Sequence, residues 1–196
     1  MTLPATGLPS TPAVVADFLE PRDRPYNPLV SPEYGGPALN TPAQSRQVAV
    51  WTAFYEDGVV KVAPEEVPST VTSLFAAVGV ETISLAFDAN MNPTIAYMQA
   101  GLCHLRWFDS MVNQMVTTTY PGVDSCQVTT DDKRASQVGR DDVVFAYTRD
   151  GTLYYRLQRD RYTIEYTFFS PVKGKLLRFG MNRKNRLQFE IKQQEL

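Results

Sequence analysis

The stretch Ile95-Ala96-Tyr97-Met98-Gln99-Ala100-Gly101-Leu102-Cys103-His104-Leu105-Arg106 aligns without gaps, at an offset of 50, with Phe145-Ala146-Tyr147-Thr148-Arg149-Asp150-Gly151-Thr152-Leu153-Tyr154-Tyr155-Arg156. Ala, Tyr, Gly and Arg match in place, and apolar residues match at several other positions. Each copy reads as strand, tight turn, strand, because glycine supplies the positive φ that a two-residue hairpin turn requires. Ahead of the first copy stand Ile83-Ser84-Leu85-Ala86-Phe87 and then Asp88-Ala89-Asn90-Met91-Asn92-Pro93, a strand followed by a turn rich in Asx and Pro. The repeating unit is therefore expected to hold about three short strands, over residues 81–120 and again over 125–170. A degraded third copy is read in Leu176-Leu177-Arg178-Phe179-Gly180-Met181-Asn182 with Arg186-Leu187-Gln188-Phe189-Glu190-Ile191, where Leu187, Phe189 and Ile191 alternate onto one face.

Upstream, Val48-Ala49-Val50-Trp51-Thr52-Ala53-Phe54-Tyr55 and Val59-Val60-Lys61-Val62 flank Glu56-Asp57-Gly58, the pattern of a β-hairpin. From Pro64 to Gly79 the residues fit either one or two helical turns or an irregular crossover. The expected fold class is all-β: antiparallel, with repeated three-stranded blade-like or sandwich units, preceded by an extended Pro-rich N-terminal arm. Two or three units are too few to close a propeller. The chain either makes a partial, blade-like body or is completed by other subunits, and open sheet edges favour an oligomer in both cases.

The arm is read over residues 1–46 and the body over 47–196. Nine of the 14 prolines fall within the first 42 residues. Proline fixes φ and lacks an N–H, which argues against a continuous helix or a central strand and for an extended run, partly polyproline II. Such a leader is either disordered or docked on a neighbour. Val14, Val15, Phe18, Leu19, Tyr26, Leu29, Val30 and Tyr34 supply apolar anchors that linkers seldom carry, which favours docking. Fully extended, 42 residues reach on the order of 130 Å.

Apolar residues make up 43% of the 196 and charged residues 20%, which is ordinary for a globular protein. No apolar run approaches the length of a membrane span, and Met1-Thr2-Leu3-Pro4 does not start like a signal peptide. These features predict a soluble protein made and used without export. The net charge of −2 is unevenly spread: residues 1–148 carry 8 Lys/Arg against 16 Asp/Glu, residues 149–196 carry 11 against 5. Ends of opposite sign either neutralise each other within the fold or meet head to tail between subunits.

Candidate chemistry is sparse. Cys103 and Cys126 lack the spacing of a metal knuckle or a disulfide framework and read as buried thiols. His104 is the sole histidine and aligns with Tyr154, so packing is its expected role. No Gly-x-Ser-x-Gly elbow and no phosphate-binding glycine loop occurs. Asp88, Asp109, Asp124, Asp131, Asp132, Asp141 and Asp142 are plentiful enough for a paired-acid site. Most of them sit at predicted turns, where Asp caps the backbone. Asp131-Asp132 with Asp141-Asp142 could also hold a hard cation through oxygen, although the ladder of a calcium loop is missing. The basic run Lys173, Lys175, Arg178, Arg183, Lys184 and Arg186 has the look of a nucleic-acid patch. Edge protection or contact with an acidic neighbour is favoured instead. Trp51, Trp107, Tyr154 and Tyr155 are assigned to core packing, with sugar stacking or interface anchoring as the rival use.

The segment from Ile83 to Ile191 resembles virion proteins of tailed bacteriophages, in the tail-tip and tail-fibre group. The resemblance is carried by Ser84-Leu85-Ala86-Phe87-Asp88, Asp131-Asp132-Lys133-Arg134-Ala135, Tyr147-Thr148-Arg149-Asp150-Gly151-Thr152-Leu153-Tyr154-Tyr155-Arg156, Gln158-Arg159-Asp160-Arg161, and Gly180-Met181-Asn182 with Leu187-Gln188-Phe189-Glu190. It implies a structural part of a tail, arranged around the tail axis, without catalytic residues. The expected function is thus a structural component of a phage tail, assembling through its arm and its sheet edges, and not an enzyme. A receptor- or carbohydrate-binding module of the tail is the alternative. Expected partners are other tail proteins and copies of itself, with a host-surface glycan as a further candidate. Nucleic acid is disfavoured, and neither a membrane span nor a cofactor is expected. The expected location is the virion, after assembly in the host cytoplasm. Val14, Phe18, Leu19, Tyr26, Tyr34, Arg178, Arg183 and Lys184 are the expected interface residues.

Overall fold

Strands follow one another along this chain because β-branched and aromatic residues alternate between short Gly- and Asp-containing turns. A computed structural model describes residues 26–30, 50–64, 71–88, 92–131, 142–181 and 187–192, with the backbone alone for 26–30, 50, 64, 131, 142 and 181. Among them the chain is nearly all antiparallel β, in several small sheets, with one short 3-10 turn at Gln158–Asp160.

The first sheet holds β1 (Tyr26–Val30), β2 (Val50–Glu56), β3 (Val59–Pro64) and β4 (Thr72–Ala76). The second holds β5 (Val80–Phe87), β6 (Pro93–Gln99), β7 (Leu102–Asp109) and β8 (Gln114–Tyr120). The third holds β9 (Ser125–Asp131), β10 (Asp142–Arg149), β11 (Thr152–Leu157) and β12 (Tyr166–Phe169). A two-stranded sheet follows, β13 (Lys175–Met181) and β14 (Leu187–Lys192). Within each sheet the strands are ordered as they occur in the chain. The first strands of successive sheets are neighbours, β1 beside β5, β5 beside β9 and β9 beside β13, so the sheets form a row.

Three hairpins share one turn chemistry. Asp57-Gly58, Ala100-Gly101 and Asp150-Gly151 all take positive φ at both residues, 52° and 76°, 50° and 72°, 49° and 67°. This is the mirror-image turn whose twist matches that of the flanking strands. The two segments aligned at an offset of 50 therefore form equivalent hairpins, β6–β7 and β10–β11.

Burial is divided between two cores. The larger joins Ala53, Val60 and Val62 of the first sheet to Leu85, Ile95, Leu105 and Trp107 of the second and Val128, Phe145 and Tyr147 of the third. The smaller joins Val144, Ala146, Leu153 and Leu157 to Val172, Leu176 and Phe179. β10 lies between them: Val143, Phe145 and Tyr147 face one core, Val144 and Ala146 the other.

Three features differ from the sequence reading. The stretch Pro64–Gly79 contributes neither helix nor crossover among its described residues but β4, an edge strand paired with β3. Its Thr72 and Ser73 are exposed, and it lacks the apolar alternation that marks a half-buried strand. The sheets built by the second and third sets of strands have four strands, where three were expected. β8 and β12 complete them, and the central Thr117-Thr118-Thr119 of β8 is exposed, so burial does not imprint a pattern there. Residues 26–30, read as arm, form the edge strand β1, with Pro28 opposite Thr52. A sheet edge is where a proline is tolerated.

Candidate functional site

Two constellations stand out, a polar cluster at the third sheet and an aromatic ledge at the end of the row. The cluster is built on the β10–β11 hairpin. Tyr147 and Arg149 leave β10, Arg156 leaves β11, and all three meet Glu165 in the segment between the 3-10 turn and β12. Arg149 Nη2 donates to Glu165 Oε1 at 2.8 Å, Arg156 Nη2 to Oε2 at 3.0 Å, and the Tyr147 hydroxyl donates to the same carboxylate. Arg156 also donates from Nε to the Tyr147 oxygen and from Nη1 to the carbonyls of Tyr162 and Thr163. The guanidinium planes cover rings: Arg149 lies 4.8 Å from the Tyr154 centroid and Arg156 5.1 Å from that of Tyr120.

The electrostatics follow from this geometry. Burial by itself would raise the pKa of Glu165, but the hydrogen bonds from Tyr147, Arg149 and Arg156 outweigh it and hold the carboxyl below its ordinary value. Burial, reinforced by the bond to Glu165, drives the Tyr147 phenol far above its ordinary value. Burial also pushes Tyr120 up to about 12. The groups therefore stay as one carboxylate, two guanidiniums and two neutral phenols at neutral pH. Four of the five N–H donors of Arg156 are directed at protein acceptors, so the cluster fastens the 161–165 segment onto the hairpin. A second fastening lies beside it. Arg161 pairs with the buried Asp109 at the end of β7, and Asp109 Oδ1 accepts from the Met111 N–H at 3.0 Å.

The ledge is built from β11, β12, β13 and β14. Tyr155 stacks on Tyr166 at 5.0 Å and on Phe168 at 4.3 Å. Phe168 meets Phe179 at 6.2 Å and Phe189 at 5.8 Å, and Phe169 meets Phe189 at 5.0 Å. Phe179 and Phe189 are direct cross-strand partners and therefore share a face. Among the described residues the fourth sheet has two strands, so its aromatic face covers only part of β11 and β12. Phe169 and Phe189 are each left 37% exposed at that step. Among the described residues no strand pairs with the outer edge of β14.

The residues singled out from sequence are distributed as follows. His104 is half-buried, stacks on Tyr97 at 5.0 Å and shares a hydrogen bond between Nδ1 and Thr119 Oγ1 at 3.0 Å, and burial lowers its pKa. Cys103 and Cys126 are buried free thiols, and their mutual hydrogen bond together with burial raises the Cys126 thiol well above its ordinary range. Asp88 caps its turn, accepting from the Asn92 N–H at 2.8 Å and from the Asn92 amide at 3.0 Å. Asp131 and Asp142 lie opposite each other in the β9–β10 register, while Asp132 and Asp141 fall outside the described residues. Trp51 packs edge-on against Phe87 and Trp107 against Tyr162, while Tyr154 stacks on Tyr147. Arg178 pairs with Glu190 at 3.5 Å, and Lys173 and Lys175 are exposed. Val14, Phe18, Leu19, Tyr34, Arg183, Lys184 and Arg186 lie outside the described residues, and Tyr26 is described by its backbone. Among the described residues no three His, Cys, Asp or Glu side chains are grouped so as to hold a metal, and no helix is long and apolar enough to cross a membrane.

Sequence reading did not find Glu165 or the ledge. Arg156 carried a signal, the Arg match of the repeat, but Glu165 lies in an irregular segment with no periodicity. Comparison with protein-family models, with curated proteins and with solved structures finds no match to this chain.

Proposed function

We infer that the chain is a structural component of a bacteriophage tail that assembles through its N-terminal segment and its sheet edges. The observation that carries the structural part of this reading is the row of antiparallel meanders that, among the described residues, stops at a two-stranded sheet with an unpaired edge and uncovered aromatic rings. Each meander serves as a blade-like unit, and the row is an open series of them. The polar chemistry supports the same reading. The carboxylates of Asp88, Asp109 and Glu165 are engaged in capping and fastening, and the aromatic residues named from sequence pack against neighbours. The phage-tail part rests on the resemblance carried by the motifs of residues 84–88, 131–135, 147–156, 158–161 and 180–190.

The alternative, a carbohydrate-binding module, draws on the exposure of Phe169 and Phe189. Phenylalanine offers a sugar a stacking surface but no hydrogen-bonding tip, so an apolar protein segment suits this ledge better.

Light scattering of the full chain and of a chain lacking residues 1–25, which keeps β1, tests the reading. A concentration-dependent oligomer that the truncation disperses is the expected result. Monomers in both cases, together with glycan-array binding abolished by Phe169→Ala, would replace it with the alternative.

A further inference from the structure

The ledge and the open edge of β14 form one receiving site. A strand laid along β14 would pair with its free edge and cover Phe169 and Phe189 in the same step, the geometry of strand addition, where main-chain bonds give affinity and alternate side chains give selectivity. Such a strand has to be apolar on one face. It should also be acidic. Residues 173–192 contain seven Lys or Arg against the single acid Glu190, and Lys173, Lys175 and Lys192 are exposed in the described part.

The chain contains a segment of this kind. Ala13-Val14-Val15-Ala16-Asp17-Phe18-Leu19-Glu20 alternates Val14, Ala16 and Phe18 on one side, and it carries two acids and no base. It precedes β1, which belongs to the first sheet, three steps along the row from the fourth. Stacked sheets lie about 10 Å apart, so three steps along a straight row come to on the order of 30 Å. The link from Glu20 to Tyr26 spans at most roughly 20 Å. Along such a row the segment of the same chain falls short, whereas that of a neighbour approaching with its first sheet toward the fourth sheet of this copy does not.

We propose that residues 13–20 of a second copy of this chain add to the β14 edge and bury Phe169 and Phe189, joining copies head to tail. The inference rests on the structural reading above and specifies its joint. A contact of this type is heterologous: every copy donates one segment and receives one, so copies close into a ring or continue as a filament.

The test uses the full chain with the photo-crosslinking residue p-benzoylphenylalanine in place of Phe189, an aromatic substitution at an exposed position. Equal amounts of isotopically light and heavy chains are mixed, irradiated and digested, and the cross-linked peptides are read by mass spectrometry. Mixed light–heavy cross-links to residues 13–20 are expected. Phe18→Asp in both the light and the heavy chain should cut their yield by more than about tenfold, the effect of losing one buried large apolar side chain. Cross-links to residues 13–20 within a single chain would overturn the head-to-tail joint, and cross-links elsewhere, or none, would overturn the site itself. Light scattering on the same sample separates the two levels. Oligomers without the expected cross-link sink only this joint, while monomers at every concentration sink the assembly reading as well.

Discussion

At the residue scale, Glu165 is the point on which the polar cluster turns. Removing it leaves two guanidiniums and a phenol facing one another without a carboxylate. Glu165→Ala is expected to cost about 2–3 kcal/mol in chemical denaturation, as for other hydrogen bonds to partly buried charges. Tyr147→Phe, which deletes one donor, should cost about 1 kcal/mol. The pH dependence follows from the direction of the shifts. Hydrogen bonds to Glu165 and Asp109 outweigh burial and hold both carboxyls below their ordinary values in the folded chain. The unfolded chain therefore takes up protons first. The stabilisation from these groups is complete above the unfolded values near 4 and is lost as pH falls through the folded ones. Denaturation midpoints measured between pH 7 and pH 3 should fall for the parent chain and fall less for the Asp109→Asn, Glu165→Gln double variant. An equal decline in both would contradict this assignment. None of this was legible in the sequence, because an ion pair 16 residues apart across a hairpin leaves no local pattern.

At the scale of the element, the hairpins explain what could be read and what could not. Asp57-Gly58 and Asp150-Gly151 announce their turns directly, whereas Ala100-Gly101 becomes readable by alignment with the second. Alanine at a φ of 50° is uncommon and strained, while asparagine tolerates that region. Ala100→Asn is expected to stabilise the chain by roughly 0.5–1 kcal/mol, and Gly101→Ala to destabilise it by about 1 kcal/mol. A β-carbon at Gly101 would meet nothing within 4 Å, so that cost is conformational rather than steric. Thermal unfolding of the two variants checks both signs. Besides β1, the sequence reading missed β4, β8 and β12, which are edge or outer strands with partly or mostly exposed side chains. Burial does not constrain such residues, so they carry little periodic signal. Paired inner strands such as β7, with its alternating buried and half-buried positions, were plain.

At the scale of the whole molecule, two cores meet along β10, and they should differ in stability. The larger draws on three sheets, the smaller chiefly on β10, β11 and the last hairpin. Phe145→Ala should cost about 3–5 kcal/mol and loosen the whole chain. Leu176→Ala, at about 2–5 kcal/mol, should speed amide exchange in β13 and β14 while the second sheet keeps its protection. Uniform loss of protection after Leu176→Ala would show that the cores act as one.

The chain-order arrangement of every sheet bears on synthesis. Each hairpin pairs with what has just been made, so the first two sheets have all their strands once Tyr120 has emerged from the ribosome. The ties that hold the second sheet to the third come later, when Arg161 reaches Asp109 and Ser84 is joined by the Val128 N–H. A nascent chain halted before residue 125 would thus carry complete sheets with an unshielded Ala96, Leu105 and Trp107 side. Translation speed across residues 120–165 sets how long that side waits for its cover.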